Sequence, residues 1–160
     1  NTDFSLMKCK ILSISHKPAD WEKKALDFYC KQIPSNLKLS FVEVKPLASK
    51  AASRELTLQG ESLEIIKHID PGSYVVLWDR KGDLISSKAL ATLFQEKIDL
   101  ACNITMIIGG SYGAAPSLLQ KSDLILSASD LTFPHRLFKI LLIEQIFRAS
   151  TINRNHPYHK

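Results

Sequence analysis

Two loops and the end of the chain carry residue types that suggest chemistry. An apolar run leads into the glycine-rich segment Gly109 to Gly113, and glycines let a backbone approach a ligand closely. Ligands of parallel-sheet proteins bind where such loops leave a strand. The segment lacks the Gly-Lys-Ser/Thr of a phosphate-binding P-loop and does not match G-x-G-x-x-G. A tight turn required for steric reasons would give the same pattern, so both interpretations stay open.

The second loop combines small and hydroxyl-bearing residues. It runs from Ala128 to Phe133, after which Pro134 and His135 begin a helix. Main-chain amides and carbonyls of such a loop could hold the edge of an adenine and a ribose. An ordinary strand-to-helix connection has the same composition.

The chain ends in Tyr158-His159-Lys160, which offers a stacking ring, a group that titrates near neutral pH and a cation. Chain termini are often frayed and without function. The region His135 to Lys160 is basic, with Glu144 as its single acid against Arg136, Lys139, Arg148, Arg154 and Lys160. Such a run is typical of a solvated helix face as well as of an RNA-binding surface. The net charge of +5 by itself favours a nucleic-acid partner only modestly.

Strand-like and helix-like segments alternate along the chain and must position these loops. Apolar alternation or short apolar runs predict strands at Lys8–Ser15, Leu37–Val44, Tyr74–Trp78, Asn103–Ile108 and Asp123–Ser127. Helical periodicity predicts helices at Pro18–Gln32, Arg54–Ile69, Ser86–Lys97, Pro116–Lys121 and His135–Thr151. Buried strands joined by helices indicate a mainly parallel sheet in an α/β domain. Pro46–Ser53 is predicted to be a mobile loop.

Length and composition fit one compact domain, because 45% of the 160 residues are hydrophobic and 23% are charged. No apolar run reaches the roughly 18 residues of a membrane span. Cys9, Cys30 and Cys102 match no metal-ligand spacing, so no metal is expected and the thiols are interpreted as small, buried and reduced. Met7 could be the natural first residue, which would make residues 1–6 a remnant or a short extension.

Taken together, the chain resembles the RlmH-type 23S rRNA (pseudouridine-N3)-methyltransferases of the SPOUT superfamily. The likeness runs from Met7 to Lys160 and rests on the order and spacing of several motifs. These are Lys8-x-x-Ile11-x-x-Ile14, Gln59-Gly60-Glu61, Ile108-Gly109-Gly110-x-x-Gly113, Leu131-Thr132-Phe133-Pro134-His135, Ile143-Glu144-Gln145, Phe147-Arg148-Ala149 and His156-Pro157-Tyr158-His159-Lys160.

The resemblance implies a single-domain, parallel-sheet SPOUT fold over residues 7–160 with a C-terminal deep trefoil knot. It also implies a cytoplasmic homodimer with a shared active site, which uses S-adenosyl-L-methionine to methylate N3 of a pseudouridine in 23S rRNA, on assembled ribosomes. The last helix is apolar almost all round, in agreement with a partner surface. The implied cofactor-binding residues are Trp78, Gly109, Ala128, Ser129, Asp130, Leu131, Thr132 and Phe133.

The catalytic residues expected from the tail and the last helix are His159, Tyr158 and Arg148. The N3 imide proton must leave during the reaction, so a base, or a cation that favours the anion, is required. We expect His159 to accept the proton or to position a water. Arg148 and Lys160 would hold phosphate or stabilise the anion. RNA contacts are expected from His135, Arg136, Arg154 and Lys160.

Two positions depart from the family pattern. Trp78 stands where relatives often have a smaller aliphatic residue, and Ala114-Ala115 replaces a Leu-Ser pair. The second change removes a hydroxyl that could cap the helix beginning at Pro116.

Two other classes of protein are compatible with parts of the sequence. One is an RNA-binding or nucleotide-binding module without transferase activity, which need not bind the methyl donor. The other is a doubly wound dinucleotide or flavin enzyme, which requires a glycine turn after the first strand. Residues 15–18 contain no glycine, which argues against that class.

Overall fold

The computed structural model describes residues 6–47, 53–110 and 112–160. Most of the predicted mobile loop, and Ser111 of the glycine segment, lie outside the described residues. The described chain alternates strand and helix as predicted. Its strands are β1 (Met7–Ile14), β2 (Leu37–Val44), β3 (Tyr74–Leu84), β4 (Ile104–Ile108) and β5 (Leu124–Ser127). Its helices are α1 (Asp20–Cys30), α2 (Arg54–Lys67), α3 (Ser87–Asp99), α4 (Pro116–Lys121) and α5 (His135–Asn153).

All five strands join one parallel sheet in the order β2-β1-β4-β3-β5. The predicted parallel-sheet α/β fold is therefore confirmed, while the knot stays a prediction. Ile108 at the end of β4 lies opposite Ser13 of β1 and Trp78 of β3. Because of this register, β1 and β4 end beside Trp78 of β3, at one edge of the sheet. The segment that follows Trp78 and the loops that follow β4 and β5 emerge there.

The two faces of the sheet are covered by different helices. Ile11 and Met106 point into a core that contains Phe94 of α3 and Ile143 of α5. Their neighbours in sequence point to the opposite face, where the second core includes Leu12, Ile107, Ile65 of α2 and Leu118 of α4. Burial on both faces explains why β4 is entirely apolar apart from Thr105. No helix in the described part of the chain is long and apolar enough to cross a membrane.

Helix α5 is apolar on several sides because its own chain surrounds it. It packs on the sheet, and α1 and α3 lie against it. These two helices cover part of the apolar surface of α5, but Leu137 stays 42% exposed, so the expected partner surface on this helix stays a prediction. The homodimer itself stays a prediction.

Strand β3 is longer than the sequence predicted. Trp78 and Asp83 both pair with Leu126 of β5, so residues 79–82 bulge out between two paired segments. The sequence did not predict this continuation, because the polar residues Asp79, Arg80 and Lys81 interrupt the apolar run from which the strand was predicted. Gly82 lies where a Cβ atom would come within 2.6–2.7 Å of the backbone of Ile125 and Leu126, so the bulge requires glycine at this position.

We expect Gly82→Ala to lower the free energy of unfolding by about 1–3 kcal/mol, because the methyl group would force the two paired backbones apart. Urea unfolding followed by circular dichroism measures the change. Lys88→Ala, at an exposed position of α3, is the control and should unfold at the wild-type midpoint. Equal midpoints for Gly82→Ala and the wild type would contradict the bulge as described.

Candidate active site

A cavity of about 1140 Å³ opens at the carboxyl edge of the sheet. It exceeds the roughly 300–1,000 Å³ of typical small-molecule sites. Ile108 at the end of β4 and Trp78, where β3 stops pairing with β4, form its floor, and the loops after β4 and β5 form two of its walls.

The structure brings together most of the cofactor-binding residues predicted from the sequence. Seven of the eight line this cavity: Trp78, Gly109, Ala128, Ser129, Leu131, Thr132 and Phe133. Asp130 is exposed and does not line it. His135, predicted as an RNA contact, does line it. The glycine loop and the hydroxyl-bearing loop thus face the same space although about 20 residues separate them in sequence.

The glycine loop is closed on itself and tied to α2. Gly113 has φ +87°, and its N–H donates to the carbonyl of Gly110 over 3.1 Å. A Cβ atom on Gly109 would lie 3.1 Å from the Gly113 carbonyl oxygen. The N–H of Ala115 donates to Ser62 Oγ over 3.1 Å. Helix α4 begins after Ala115 without a side-chain cap, as the Ala114-Ala115 pair predicted.

Hydroxyl groups fold the second loop through local hydrogen bonds. Ser127 Oγ donates to the carbonyl of Ser129 over 3.1 Å, and Ser129 Oγ accepts the N–H of Leu131 over 3.0 Å. Both serines therefore shape the loop. Leu131 is 70% exposed beside the cavity, so an apolar side chain is available there to cover a ligand.

Sequence reasoning missed a third wall, which α2 and the β3 bulge provide. Arg54, Thr57 and Glu61 occur at helical spacing and line the cavity from one face of α2. The bulge contributes Asp79, Arg80 and Lys81. The i, i+3, i+7 spacing of the α2 residues in the sequence could have indicated that they share one helix face. The bulge could not have been predicted in this way, because it depends on the register between β3 and β5.

The lining suits a ligand with a flat ring and several polar groups. Trp78 and Phe138 stack edge-to-face with ring centroids 5.9 Å apart, and Phe133 also lines the cavity. Two buried nitrogen atoms of lining residues, Trp78 Nε1 and His135 Nε2, lack a hydrogen-bond partner. Buried polar atoms are normally paired, so they mark where a ligand or water could bond. Among the described residues, no three His, Cys, Asp or Glu side chains are grouped to hold a metal ion.

His135 sits between the cavity and a buried ion-pair cluster. Lys139 is 1% exposed and lies 3.8 Å from both Glu22 Oε2 and Glu43 Oε1, and its Nζ donates to Ser15 Oγ over 3.4 Å. Burial lowers the pKa of His135, the Lys139 charge lowers it further, and a hydrogen bond with the Ile108 backbone opposes the shift. The imidazole beside the cavity is therefore neutral at pH 7.

The predicted catalytic residues form a second cluster on α5 and the tail. Arg148 donates from Nη2 and Nε to Glu144 Oε1 over 2.7 and 3.0 Å, and Tyr158 Oη donates to the same oxygen over 3.0 Å. Arg148 Nη1 lies 3.2 Å from His159 Nδ1. Phe147 packs against the Tyr158 ring with centroids 4.7 Å apart. Burial first, and then the Glu144 carboxylate, raises the pKa of Tyr158, so its phenol stays protonated.

The two clusters are separate within one chain, because Arg148, Tyr158 and His159 do not line the cavity. The remaining predicted RNA contacts are dispersed. Arg136 is 43% exposed with its Nε 3.6 Å from Glu22, and Arg154 donates to the Ser150 carbonyl. Sequence reasoning assigned no role to Glu144, although its i, i+4 spacing to Arg148 indicated an ion pair.

Comparison with known proteins gives consistent matches over nearly the whole chain. The family described as predicted SPOUT methyltransferases matches residues 7–159. Proteins named ribosomal RNA large subunit methyltransferase H are similar. That from Nitrosomonas eutropha is 36% identical over 96% of this chain and 99% of its own. That from Caldicellulosiruptor saccharolyticus is 36% identical over 94% and 99%.

Two solved structures share the fold at low sequence identity. A probable methyltransferase from Bordetella pertussis has a TM-score of 0.56 and 12% identity, covering 92% of this chain and 96% of its own. A probable methylase family protein from Haemophilus influenzae has a TM-score of 0.51 and 14% identity, covering 96% and 70%.

Fold and cavity together define a parallel-sheet α/β protein with a large cavity at one edge of its sheet. Within that class, the chain belongs to the SPOUT methyltransferase family. A methyltransferase requires a methyl donor.

The depressed pKa of His135 makes stability depend on pH. The unfolded chain binds a proton near the ordinary value of 6.5 while the folded ring resists it, so the free energy of unfolding should fall as pH drops below about 6.5. His135→Asn should flatten that dependence between pH 7.5 and 5.5, as measured by urea unfolding. His16→Asn, which removes an exposed ring, should keep the wild-type slope. An unchanged slope in His135→Asn would contradict the assignment.

Proposed function

We propose that this protein is an rRNA methyltransferase that transfers a methyl group from S-adenosyl-L-methionine to N3 of a pseudouridine in large-subunit (23S) rRNA. In the proposal it acts in the cytoplasm, on assembled ribosomes, as a homodimer. The observation that carries the proposal is the meeting of the two predicted cofactor loops around one cavity at the sheet edge. Relatives that match this chain nearly end to end bear the name ribosomal RNA large subunit methyltransferase H.

The cavity residues suit the adenosine part of the donor. Aromatic and apolar walls for an adenine are provided by Trp78, Phe133 and Phe138. The loop after β5, which hydrogen bonds of Ser127 and Ser129 hold in shape, offers main-chain groups for the edge of the adenine and for the ribose. When bound, S-adenosyl-L-methionine supplies an electrophilic methyl group on sulfur. The protein then has to align the acceptor nitrogen and handle its proton.

The cluster of Arg148, Tyr158 and His159 supports a role in handling the proton of the acceptor nitrogen. Arginine has only donor groups, so the contact with Arg148 Nη1 makes His159 Nδ1 the acceptor and leaves the proton of the neutral ring on Nε2. We therefore propose that His159 donates a hydrogen bond to a base oxygen, instead of accepting the proton or positioning a water, the two roles expected from the sequence. Arg148, held by Glu144, stabilises the imide anion, and the N3 proton leaves to water.

A homodimer would unite the two clusters. The catalytic cluster does not line the cavity of its own chain, so a second copy can supply it. In the proposed assembly, the tail of one chain covers the cavity of its partner, and the base lies between them.

The proposed activity is tested by tritiated-methyl transfer to ribosomes from a strain that lacks this modification, followed by mapping of the labelled base. We expect label on one pseudouridine of 23S rRNA, dependent on S-adenosyl-L-methionine. Label elsewhere would contradict the proposed target. No label, together with no binding of S-adenosylhomocysteine in calorimetry, would favour a module without transferase activity.

A shared active site predicts complementation between two inactive chains. A chain truncated after Pro157 should keep its S-adenosylhomocysteine affinity within about twofold and lose methyl transfer, because the deleted residues lie outside the cavity. Ala128→Trp, at an exposed cavity position, should lose cofactor binding and activity. Mixed after subunit exchange, the two should recover about a quarter of wild-type activity, since half of the random dimers carry one intact site.

The control for this experiment is a chain that carries both changes, which should not complement either parent. A mixture that stays inactive, although native mass spectrometry detects mixed dimers, would contradict the shared site. Full activity of the truncated chain alone would contradict any role of the tail.

A further inference from the structure

Helix α2 forms one wall of the cavity. The proposed binding of adenosine assigns no function to this wall. Its motif Gln59-Gly60-Glu61 contributed to the family resemblance, yet neither loop of the site includes it. Glu61 lines the cavity and is only 6% exposed. A carboxylate this well buried at a ligand site calls for a specific partner.

Glu61 is held by one backbone hydrogen bond and lies close to the glycine loop. Its Oε2 accepts the N–H of Leu47 over 3.1 Å, and its Oε1 lies 3.0 Å from where a Cβ atom on Gly110 would be. Gly60 permits this arrangement, because any Cβ atom there would overlap Leu47 Cδ1. The carboxylate therefore borders the glycine loop of the cavity directly.

The Glu61 carboxylate forms no ion pair within 4.0 Å with any of the described residues. Buried Glu22, in contrast, pairs with Lys139 and Arg136. Buried charges are normally paired. A cationic group of a ligand in the cavity would complete this one.

We propose that the Glu61 carboxylate binds the α-ammonium group of the amino-acid part of the methyl donor, an inference that rests on the proposed function. Arg54, Arg80 and Lys81 line the same cavity, so both charges of a zwitterionic amino acid find a counterpart. Glu61 is then a specificity residue that distinguishes an adenosyl amino acid from a simple adenosyl thioether.

Calorimetry with three ligands tests this inference without measuring activity. S-adenosylhomocysteine carries the ammonium but no sulfonium charge, 5′-methylthioadenosine carries neither, and S-adenosyl-L-methionine carries both. Glu61→Gln removes the charge while its amide oxygen can still accept the Leu47 N–H. We expect S-adenosylhomocysteine and S-adenosyl-L-methionine affinities to fall about tenfold to a hundredfold, with that for 5′-methylthioadenosine unchanged.

Glu64→Gln is the matched control, because Glu64 lies on the same helix, pairs with Lys67 and does not line the cavity. It should bind all three ligands like the wild type. Equal losses for all three ligands in Glu61→Gln would show a purely structural role and overturn the inference. A loss for S-adenosyl-L-methionine alone would assign the carboxylate to the sulfonium and overturn it as well. A wild-type protein that binds none of the three would instead refute the proposed function.

Discussion

Parallel pairing of β4 with both β1 and β3 is the constraint on which the site depends. The register that sets Ile108 opposite Ser13 and Trp78 places the ends of β1 and β4 beside the bulge of β3, at one edge of the sheet. Loops that are distant in sequence must then leave the sheet side by side. The buried apolar strands fix this register, because a slip of one residue would turn each side chain towards the wrong helix layer.

Helix α5 links the cavity to the tail. Its first turn places His135 beside the cavity, and its buried Lys139 ties that turn to α1, β1 and β2 through Glu22, Ser15 and Glu43. Farther along, Glu144 and Arg148 organise the end of the chain. Two cations, Lys139 and Arg136, and two carboxylates, Glu22 and Glu43, therefore hold the helix at the end that borders the cavity.

The sequence predicted the order of elements, the parallel sheet and the two loops that meet at the cavity, because these follow from local periodicity and from loops at strand ends. It missed what depends on long-range geometry. The continuation of β3 past Trp78 is set by pairing with Leu126, which no local pattern encodes. The buried Lys139 resembles an exposed basic residue in the sequence, since its partners lie on three other elements. The roles of Glu61 and Glu144 similarly emerge only from their neighbours in space.

Because α5 is stiff, it keeps the cavity and the cluster around Arg148 apart in a chain that has not yet bound a partner. From His135 to Glu144 the helix axis advances about 14 Å at 1.5 Å per residue, and no hinge of Pro or Gly interrupts it. A single chain thus holds the proposed donor cavity and the proposed acceptor-handling groups at two separate points along this helix. Under the proposed assembly, a monomer that has bound the methyl donor lacks the second chain's catalytic groups at its cavity. It therefore does not transfer the methyl group to an unintended nucleophile before it dimerises.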